Sequence, residues 1–224
     1  MRYLAPLGHE QVSRAVAEAE MQTSGEIVTV LAERSDGYSD LALLWAIALA
    51  FTAMSVFAFV PAPFLDFYDR LAGGWEHEWT TGQLATATIA LGLVTFALAW
   101  AAQLWQPLKF LLVPGRVKTM RVHDRAVALF KVGAERRTHG RTGVLIYLSM
   151  HEHRAEIVAD EPIAAKVSAE TWGEAMADML EHIREGCVAD GLVAGIGDVG
   201  AVLAEHFPRH ADDENELPDR LIEI

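Results

Sequence analysis

Two long stretches without an ionisable side chain occupy the middle of this 224-residue chain. The first stretch is residues 41–65 and the second is residues 79–108. At about 1.5 Å of rise per helical residue, each is long enough to cross the roughly 30 Å hydrocarbon core of a bilayer. A short polar loop, residues 66–78, lies between them. The pattern predicts a hairpin of two transmembrane helices that is inserted within a soluble domain.

A buried core helix is the alternative explanation for each stretch, but such a helix rarely lacks charge over this length. Tryptophans near the ends of both stretches suit the aromatic belts at membrane surfaces. Basic residues predict the orientation, because Arg70 is the only one in the loop whereas several follow the second stretch closely. The positive-inside rule therefore places both termini in the cytoplasm and the loop outside. The basic residues after the second stretch are Lys109, Arg116, Lys118, Arg121 and Arg125.

The charge and cysteine content narrow the possible partners. A formal net charge of −13 argues against nucleic acid, since phosphate contact needs clustered positive charge. The basic run at 116–121 suits contact with anionic lipid headgroups instead. The single cysteine, Cys187, excludes an internal disulfide and is typical of a reducing compartment. The lipid bilayer is thus one expected partner, and a membrane or cytoplasmic protein of unknown identity is the other.

Helix and strand patterns flank the hairpin on both sides. Residues 1–38 are too few to bury a core alone, so we expect them to complete the sheet of the second part of the domain, residues 116–208. An acidic tail follows at 209–224, in which residues 217–224 could dock as a short helix. The periodicities predict helices over 9–22 and 117–137, strands at 26–33, 143–149 and 155–160, and helices that begin near Ser168 and Asp190. For the helix over 117–137, the candidates for the buried face are Met120, Val127, Leu129 and Phe130.

Four motifs of the soluble part resemble the TPM domain family. They are Ser-Gly-Glu-Ile-Val at 24–28, Thr-Gly-Val-Leu-Ile-Tyr-Leu-Ser at 142–149, His-Arg-Ala-Glu-Ile-Val-Ala-Asp at 153–160, and Ala-Asp-Gly-Leu-Val-Ala-Gly-Ile at 189–196. The resemblance spans residues 8–35 and 117–208. It implies an α/β fold, a TPM-like sandwich with a small mixed sheet flanked by helices, here interrupted by the two-helix transmembrane hairpin. It also implies a bacterial inner-membrane protein.

Some members of this family are described as acid phosphatases with a bound divalent cation. This chain departs from their pattern, because the acidic segment usual before the first helix is replaced by Tyr-Leu-Ala-Pro-Leu-Gly at 3–8. The loop before the strand at 143 also lacks the usual Gly-Ile-Gly. Phosphatase activity therefore does not carry over from the resemblance.

Three carboxylates are the candidate metal ligands. Asp160 and Glu161 follow a predicted strand, and Asp190 stands at a predicted helix start, so together they could hold Ca²⁺ or Mg²⁺ through oxygen atoms. The simpler explanation for Asp190 is an N-cap worth about 1 kcal/mol. His151 and His153, with His139, form a second possible metal site at a predicted hairpin turn, where solvated side chains are the default.

Small residues suggest two packing contacts. The glycines at 191, 195, 197 and 200 fall within a predicted helix, where close helix packing explains them better than a phosphate loop. In the second apolar stretch, Gly82, Thr86 and Ala90 are spaced by four, which suits either pairing with another helix or packing against the first stretch.

The sequence therefore favours a membrane-anchored interaction or assembly module that faces the cytoplasm and needs no cofactor. The alternative is a divalent-cation-dependent phosphatase that uses the three carboxylates.

Overall fold

The structure, a computed structural model, describes residues 3–72, 79–133, 142–209 and 216–224. It divides into two compact units: unit 1 combines Met1–Asp36 with Gly115–Ile224, and unit 2 is Gly37–Pro114. The helices of the described residues are α1 (Pro6–Glu20), α2 (Ser39–Phe59), α3 (Ala62–Ala72), α4 (Thr81–Ala102), α5 (Gln106–Leu112), α6 (Gly115–Gly133), α7 (Glu161–Ala164), α8 (Ala169–Arg184) and α9 (Val188–His206). The strands are β1 (Glu26–Ala32), β2 (Gly143–Ser149), β3 (Arg154–Ala159) and β4 (Ile222–Glu223).

A four-stranded mixed sheet in the order β3-β2-β1-β4 forms the centre of unit 1. β1 and β2 run parallel, with Glu26 opposite Gly143 and Ala32 opposite Ser149, although unit 2 lies between them in the chain. β3 returns antiparallel to β2. Every residue of β1 and β2 is buried, which explains their continuous apolar sequence. The predicted pairing of the first strand with the later hairpin is confirmed.

Helices cover both faces of this sheet. On one face α1, α8 and α9 pack against the strands, with Val12, Val16, Met179 and Ile196 in the buried core. Gly186, in the left-handed region at φ 88°, ends α8 as expected of a glycine after a helix. The Ser168 hydroxyl accepts a hydrogen bond from the Thr171 amide at 3.3 Å, so the predicted cap of α8 is confirmed.

α6 covers the opposite face of the sheet. Its buried residues are Val122, Ala126 and Phe130, spaced by four along one side of the helix. Met120 was expected on this face but is 52% exposed. A residue two positions from Val122 points to the far side of a helix with 3.6 residues per turn, which is the reason that the prediction for Met120 is wrong.

Residues 216–224 are part of the fold. Ile222 and Glu223 pair in parallel with Val30 and Leu31 as the edge strand β4, so the short helix expected over 217–224 is wrong. Leu217 and Leu221 are buried on the two sides of the sheet, which draws this segment into extended form along β1. The acidic residues 210–215, predicted as a tail, lie outside the described residues.

Unit 2 contains the two apolar helices. α2 and α4 are shorter than the uncharged stretches 41–65 and 79–108 within which they largely lie. α2 ends before Pro61, because a residue preceding proline is disfavoured in helical conformation. Residues 62–72, partly assigned to the loop by sequence, form the separate helix α3. At the start of α4, Thr80 and Gln83 form a reciprocal capping box.

Small residues let α2 and α4 approach each other, but they are different ones from those expected. Ala42, Ala46 and Ala50 form the buried stripe of α2, and Gly92 is the buried residue of α4. A Cβ at Gly92 would lie 2.5 Å from the Met54 sulfur. The predicted packing of the second stretch against the first through Gly82, Thr86 and Ala90 is therefore wrong, since these three residues are exposed.

Candidate functional site

Asp160 is buried at the end of β3, where it fastens that strand to the start of β2. One carboxylate oxygen accepts a hydrogen bond from the Gly143 amide at 2.9 Å, and the Asp160 amide donates to the Gly143 carbonyl at 2.9 Å. Its carbonyl accepts from Ile163 and Ala164 at the start of α7. With 2% of its surface exposed, Asp160 serves the backbone around it rather than an open site.

Glu161 and Asp190, the other two predicted ligands, are exposed in the first turns of α7 and α9. Cys187 occupies the N-cap position of α9, so the N-cap explanation for Asp190 is wrong. An acidic residue in a first helical turn still interacts favourably with the helix dipole. Within the described ranges, no three His, Cys, Asp or Glu side chains are grouped so that they could hold a metal ion. The three-carboxylate site stays a prediction.

The hairpin between β2 and β3 carries the two predicted histidines. His153 is exposed and its backbone is in the left-handed region at φ 51°, which is uncommon for a residue other than glycine. His151 is half-buried. His139 lies outside the described residues. Glu152, between the two histidines, is buried instead of solvated, with 2% of its surface exposed.

Four polar side chains meet at the carboxyl ends of β1 and β2, and we call them the strand-end network: Ser35, Tyr147, Ser149 and Glu152. The Ser35 hydroxyl lies 3.0 Å from the Tyr147 hydroxyl and donates to the Ser149 hydroxyl at 3.0 Å. The Ser149 hydroxyl donates in turn to one oxygen of Glu152. The other oxygen of Glu152 accepts from the Ser35 amide at 3.0 Å. The chain of hydroxyl groups thus ends on a buried carboxylate.

The electrostatics of this network follow from its burial. Burial raises the pKa of Tyr147, and the negative charge of Glu152 adds to that rise. The hydrogen bond from Ser35 and the positive charge of Arg125 act in the opposite direction. Tyr147 therefore stays a neutral hydrogen-bonding phenol. The network holds Ser35, the residue before Asp36, in a fixed position.

Sequence reasoning missed the strand-end network. In the sequence, Ser35 precedes unit 2 and Glu152 follows it, and each looks like an ordinary loop residue. A signal was available, because the carboxyl ends of two parallel strands are where functional groups gather in α/β sheets. Ser35 and Ser149 each lie at or just after such an end.

A separate cavity of about 1080 Å³ lies within unit 2. Its walls come from the end of α2, from α3 and from the start of α4, and most of its surface is apolar. Tyr68 and Trp79 meet edge to face beside it, with ring centroids 5.4 Å apart. The exposed stripe of Gly82, Thr86 and Ala90 lines one wall.

The fold and these sites define a mixed α/β protein with two helices long and apolar enough to span a membrane. The family model described as the TPM domain matches residues 110–202 of this chain. This range includes α6, β2, β3 and α8 but not α1 or β1. The similarity expected at 8–35 lies outside it.

Among solved structures, the chain is similar to the NMR structure of the BA42 protein from the psychrophilic bacterium Bizionia argentinensis. The TM-score is 0.57 at 20% sequence identity, and the match covers 100% of this chain and 97% of that chain. At this identity the similarity shows the fold alone. Comparison with curated proteins finds no match.

Proposed function

We propose that this chain is an inner-membrane protein whose unit 2 anchors unit 1 at the cytoplasmic surface, where unit 1 acts as an interaction or assembly module. The observation that carries the anchor is the exposed apolar surface of α2 and α4. Large hydrophobic side chains point outward around both helices, and water would make that exposure costly whereas lipid would not. The most exposed of them are Leu44, Phe51, Phe59, Leu93 and Leu98.

The backbone and side chains of α2 and α4 also suit a bilayer. Helices satisfy their own backbone hydrogen bonds, as a spanning segment must. The hydroxyls of Thr52, Thr86 and Thr88 donate to the carbonyl four residues earlier, which satisfies them without water. Gln103 bridges the pair, because its side-chain amide donates to the Ala42 carbonyl at 3.0 Å.

The distribution of basic residues supports the cytoplasmic orientation. Lys109 lies on α5, and the next basic residues follow on α6 at the start of the second part of unit 1. Arg70 on α3 is the only Lys or Arg in the sequence between α2 and α4. The positive-inside rule then favours unit 1 in the cytoplasm.

Maleimide labelling of the native Cys187, which is exposed on unit 1, tests this orientation. In intact cells a membrane-impermeant maleimide should not reach Cys187, and it should react after the membrane is disrupted. In a Cys187→Ser background, Gly73→Cys should label in intact cells, since residue 73 lies in the predicted external loop. Labelling of Cys187 in intact cells would contradict the orientation.

The edge of the sheet supports the interaction role. β3 is an outer strand with no second strand neighbour among the described strands, so its outward backbone groups suit an extended segment of a partner. Arg154 and Glu156 place charges on it, as natural edge strands do to avoid self-association. The partner is expected to be a membrane or cytoplasmic protein.

Site-specific photo-crosslinking tests the interaction role. A benzophenone side chain at Arg154, on β3, should give a discrete adduct in living cells. The same group at Glu174, exposed on α8, should not. Identical adducts from the two positions, or none from Arg154, would contradict a partner at this edge.

A further inference from the structure

Residues 216–224, which we call the strap, hold the outer edge of β1 through a few contacts. The Ile224 amide donates to the Leu31 carbonyl at 3.0 Å, and the Glu33 amide donates to the Ile224 carbonyl at 2.8 Å. Only two residues, Ile222 and Glu223, pair as a strand. Besides the buried Leu217 and Leu221, polar side chains fasten the two ends of this short edge strand.

Carboxylates provide these end contacts. At the start of the strap, the two oxygens of Glu26 accept from the Glu216 and Leu217 amides at 3.2 and 3.1 Å. At its far end, one oxygen of Glu223 accepts from the Leu4 amide at 3.2 Å and lies 3.0 Å from the His9 ring nitrogen. Glu26 is 5% exposed, so its charge is almost fully removed from water.

A second buried carboxyl, that of Glu20, lies close to Glu26 and to the strap. Glu20 is the last residue of α1 and is 8% exposed. One of its oxygens accepts from the Ile27 amide at 2.8 Å. The Glu20 carboxyl also forms a side-chain hydrogen bond with Asp219 on the strap.

The pKa of Glu20 is raised to about 8, first by burial, then by the charges of Glu26 on β1 and Asp219 on the strap, and also by the side-chain hydrogen bond with Asp219. The hydrogen bond from Ile27 acts in the opposite direction. Near neutral pH the Glu20 carboxyl is therefore mostly protonated while the strap is docked. Ionisation would place a third negative charge beside two carboxylates in a region with little water.

We propose that Glu20 is a proton-controlled latch for the strap, so that loss of its proton favours release of residues 216–224 and uncovers the edge of β1. An uncovered edge presents unpaired backbone groups, which are a template for a strand of another chain. This inference concerns the opposite edge of the sheet from β3 and does not depend on the proposed function. It would give unit 1 a second, pH-dependent interaction edge.

The direction of the pH effect follows from proton linkage. The docked state holds Glu20 at a pKa of about 8, above the ordinary value of 4.5 that is expected once the carboxyl meets water. The docked state therefore binds more protons across this interval, so docking is strongest at low pH and weakens as pH rises towards 8. For one proton, the opening equilibrium of the strap rises by at most about tenfold per pH unit and levels off above pH 8.

Amide hydrogen exchange of the full chain in detergent tests the latch. The measured amides are those of Glu33 and Ile224, which form the hydrogen bonds between β1 and the strap. The amide of Ile146 in the core serves as the internal reference. All exchange rates are corrected for the intrinsic rate at each pH. Every variant carries His9→Gln, which removes the histidine that contacts Glu223 at the far end of the strap. In this background, opening at Glu33 and Ile224 should rise several-fold per pH unit between pH 5 and 8.

Glu20→Gln keeps the size of the side chain and its acceptor for Ile27, and it should abolish this pH slope. Glu18→Gln, an exposed change on the same helix, should leave the slope unchanged. Asp219→Asn removes a charge that raises the pKa of Glu20 and should make the slope shallower. A slope that persists in Glu20→Gln, or one shared equally by Ile146, would overturn the latch. So would a flat profile in the Glu18→Gln protein.

Discussion

Close packing of α8 on α9 gives a sharp test of how the core of unit 1 is stabilised. A Cβ at Gly191 would lie 2.7 Å from the Met179 carbonyl oxygen and 2.7 Å from an Ile183 side-chain carbon. Real side chains essentially never come so near, and a backbone oxygen cannot move aside without shifting α8. A Cβ at Gly197, on the same helix, would meet nothing within 4 Å. The two glycines therefore form a matched pair.

The expected magnitudes have opposite signs. Alanine in a helix interior is favoured over glycine by about 1 kcal/mol, so Gly197→Ala should stabilise unit 1 by roughly 0.5–1 kcal/mol. At Gly191 the same gain is outweighed by overpacking, which costs about 1–3 kcal/mol and more where backbone must move. We expect Gly191→Ala to be destabilising by about 2 kcal/mol net.

The change in the stability of unit 1 can be measured in the full chain in detergent by hydrogen exchange of the buried β2 amides of Leu145 and Ile146. These amides report the opening of unit 1 specifically. A loss of about 2 kcal/mol corresponds to roughly 30-fold faster exchange. Gly197→Ala should slow exchange by a few-fold. Exchange in Gly191→Ala that equals or is slower than that of the wild type would refute the packing argument.

Three further predictions concern the network, the metal and the split domain. Glu152→Gln replaces a carboxylate that accepts from the Ser35 amide and the Ser149 hydroxyl with an amide group that is partly a donor. It should therefore destabilise unit 1 by about 1–3 kcal/mol and speed hydrogen exchange of the Ser35 amide. The exposed Glu185→Gln should change neither the stability nor the exchange. If Asp160, Glu161 and Asp190 formed a Ca²⁺ site with a micromolar Kd, millimolar Ca²⁺ should raise the free energy of unfolding by roughly 4 kcal/mol, and Asp190→Asn should remove this gain. We expect Ca²⁺ to cause no rise in Tm, and a clear rise would favour the phosphatase alternative. Residues 116–208 alone should show no cooperative melt, because they lack β1, the strand between β2 and β4; a melt equal to that of the full unit 1 would contradict the split domain.

Local patterns were sufficient to predict most of the elements of this fold. The helix over 9–22, the two buried strands and the β2–β3 hairpin follow from periodicity and β-branched composition, and the structure has them close to the expected positions. The glycines of α9 show the limit of that reasoning. Gly191, Gly195 and Gly200 do pack closely, as predicted, but Gly197 faces open space, because which glycine meets a neighbour depends on the crossing of two helices.

The C-terminal residues show why composition misled. An acidic stretch predicts a solvated tail, but Leu217 and Leu221 follow it and are buried. Their burial depends on the position of β1 in the sheet. β1 pairs on one side with β2, which follows unit 2 in the sequence, and its other edge is left for the C-terminal residues. No window of sequence contains both facts. The same reason hides the strand-end network.

Glu20 was also missed by the sequence analysis, although the sequence contains a signal for its burial. The buried residues of α1 are Gly8, Val12, Val16 and Glu20, each four positions after the last. The carboxyl thus continues an apolar stripe that helical periodicity already predicts. A carboxylate in such a position is costly to ionise, so it is expected either to bind a cation or to remain protonated. Its neighbours, Glu26 and Asp219, are both acidic and raise its pKa further, so that Glu20 holds its proton near neutral pH.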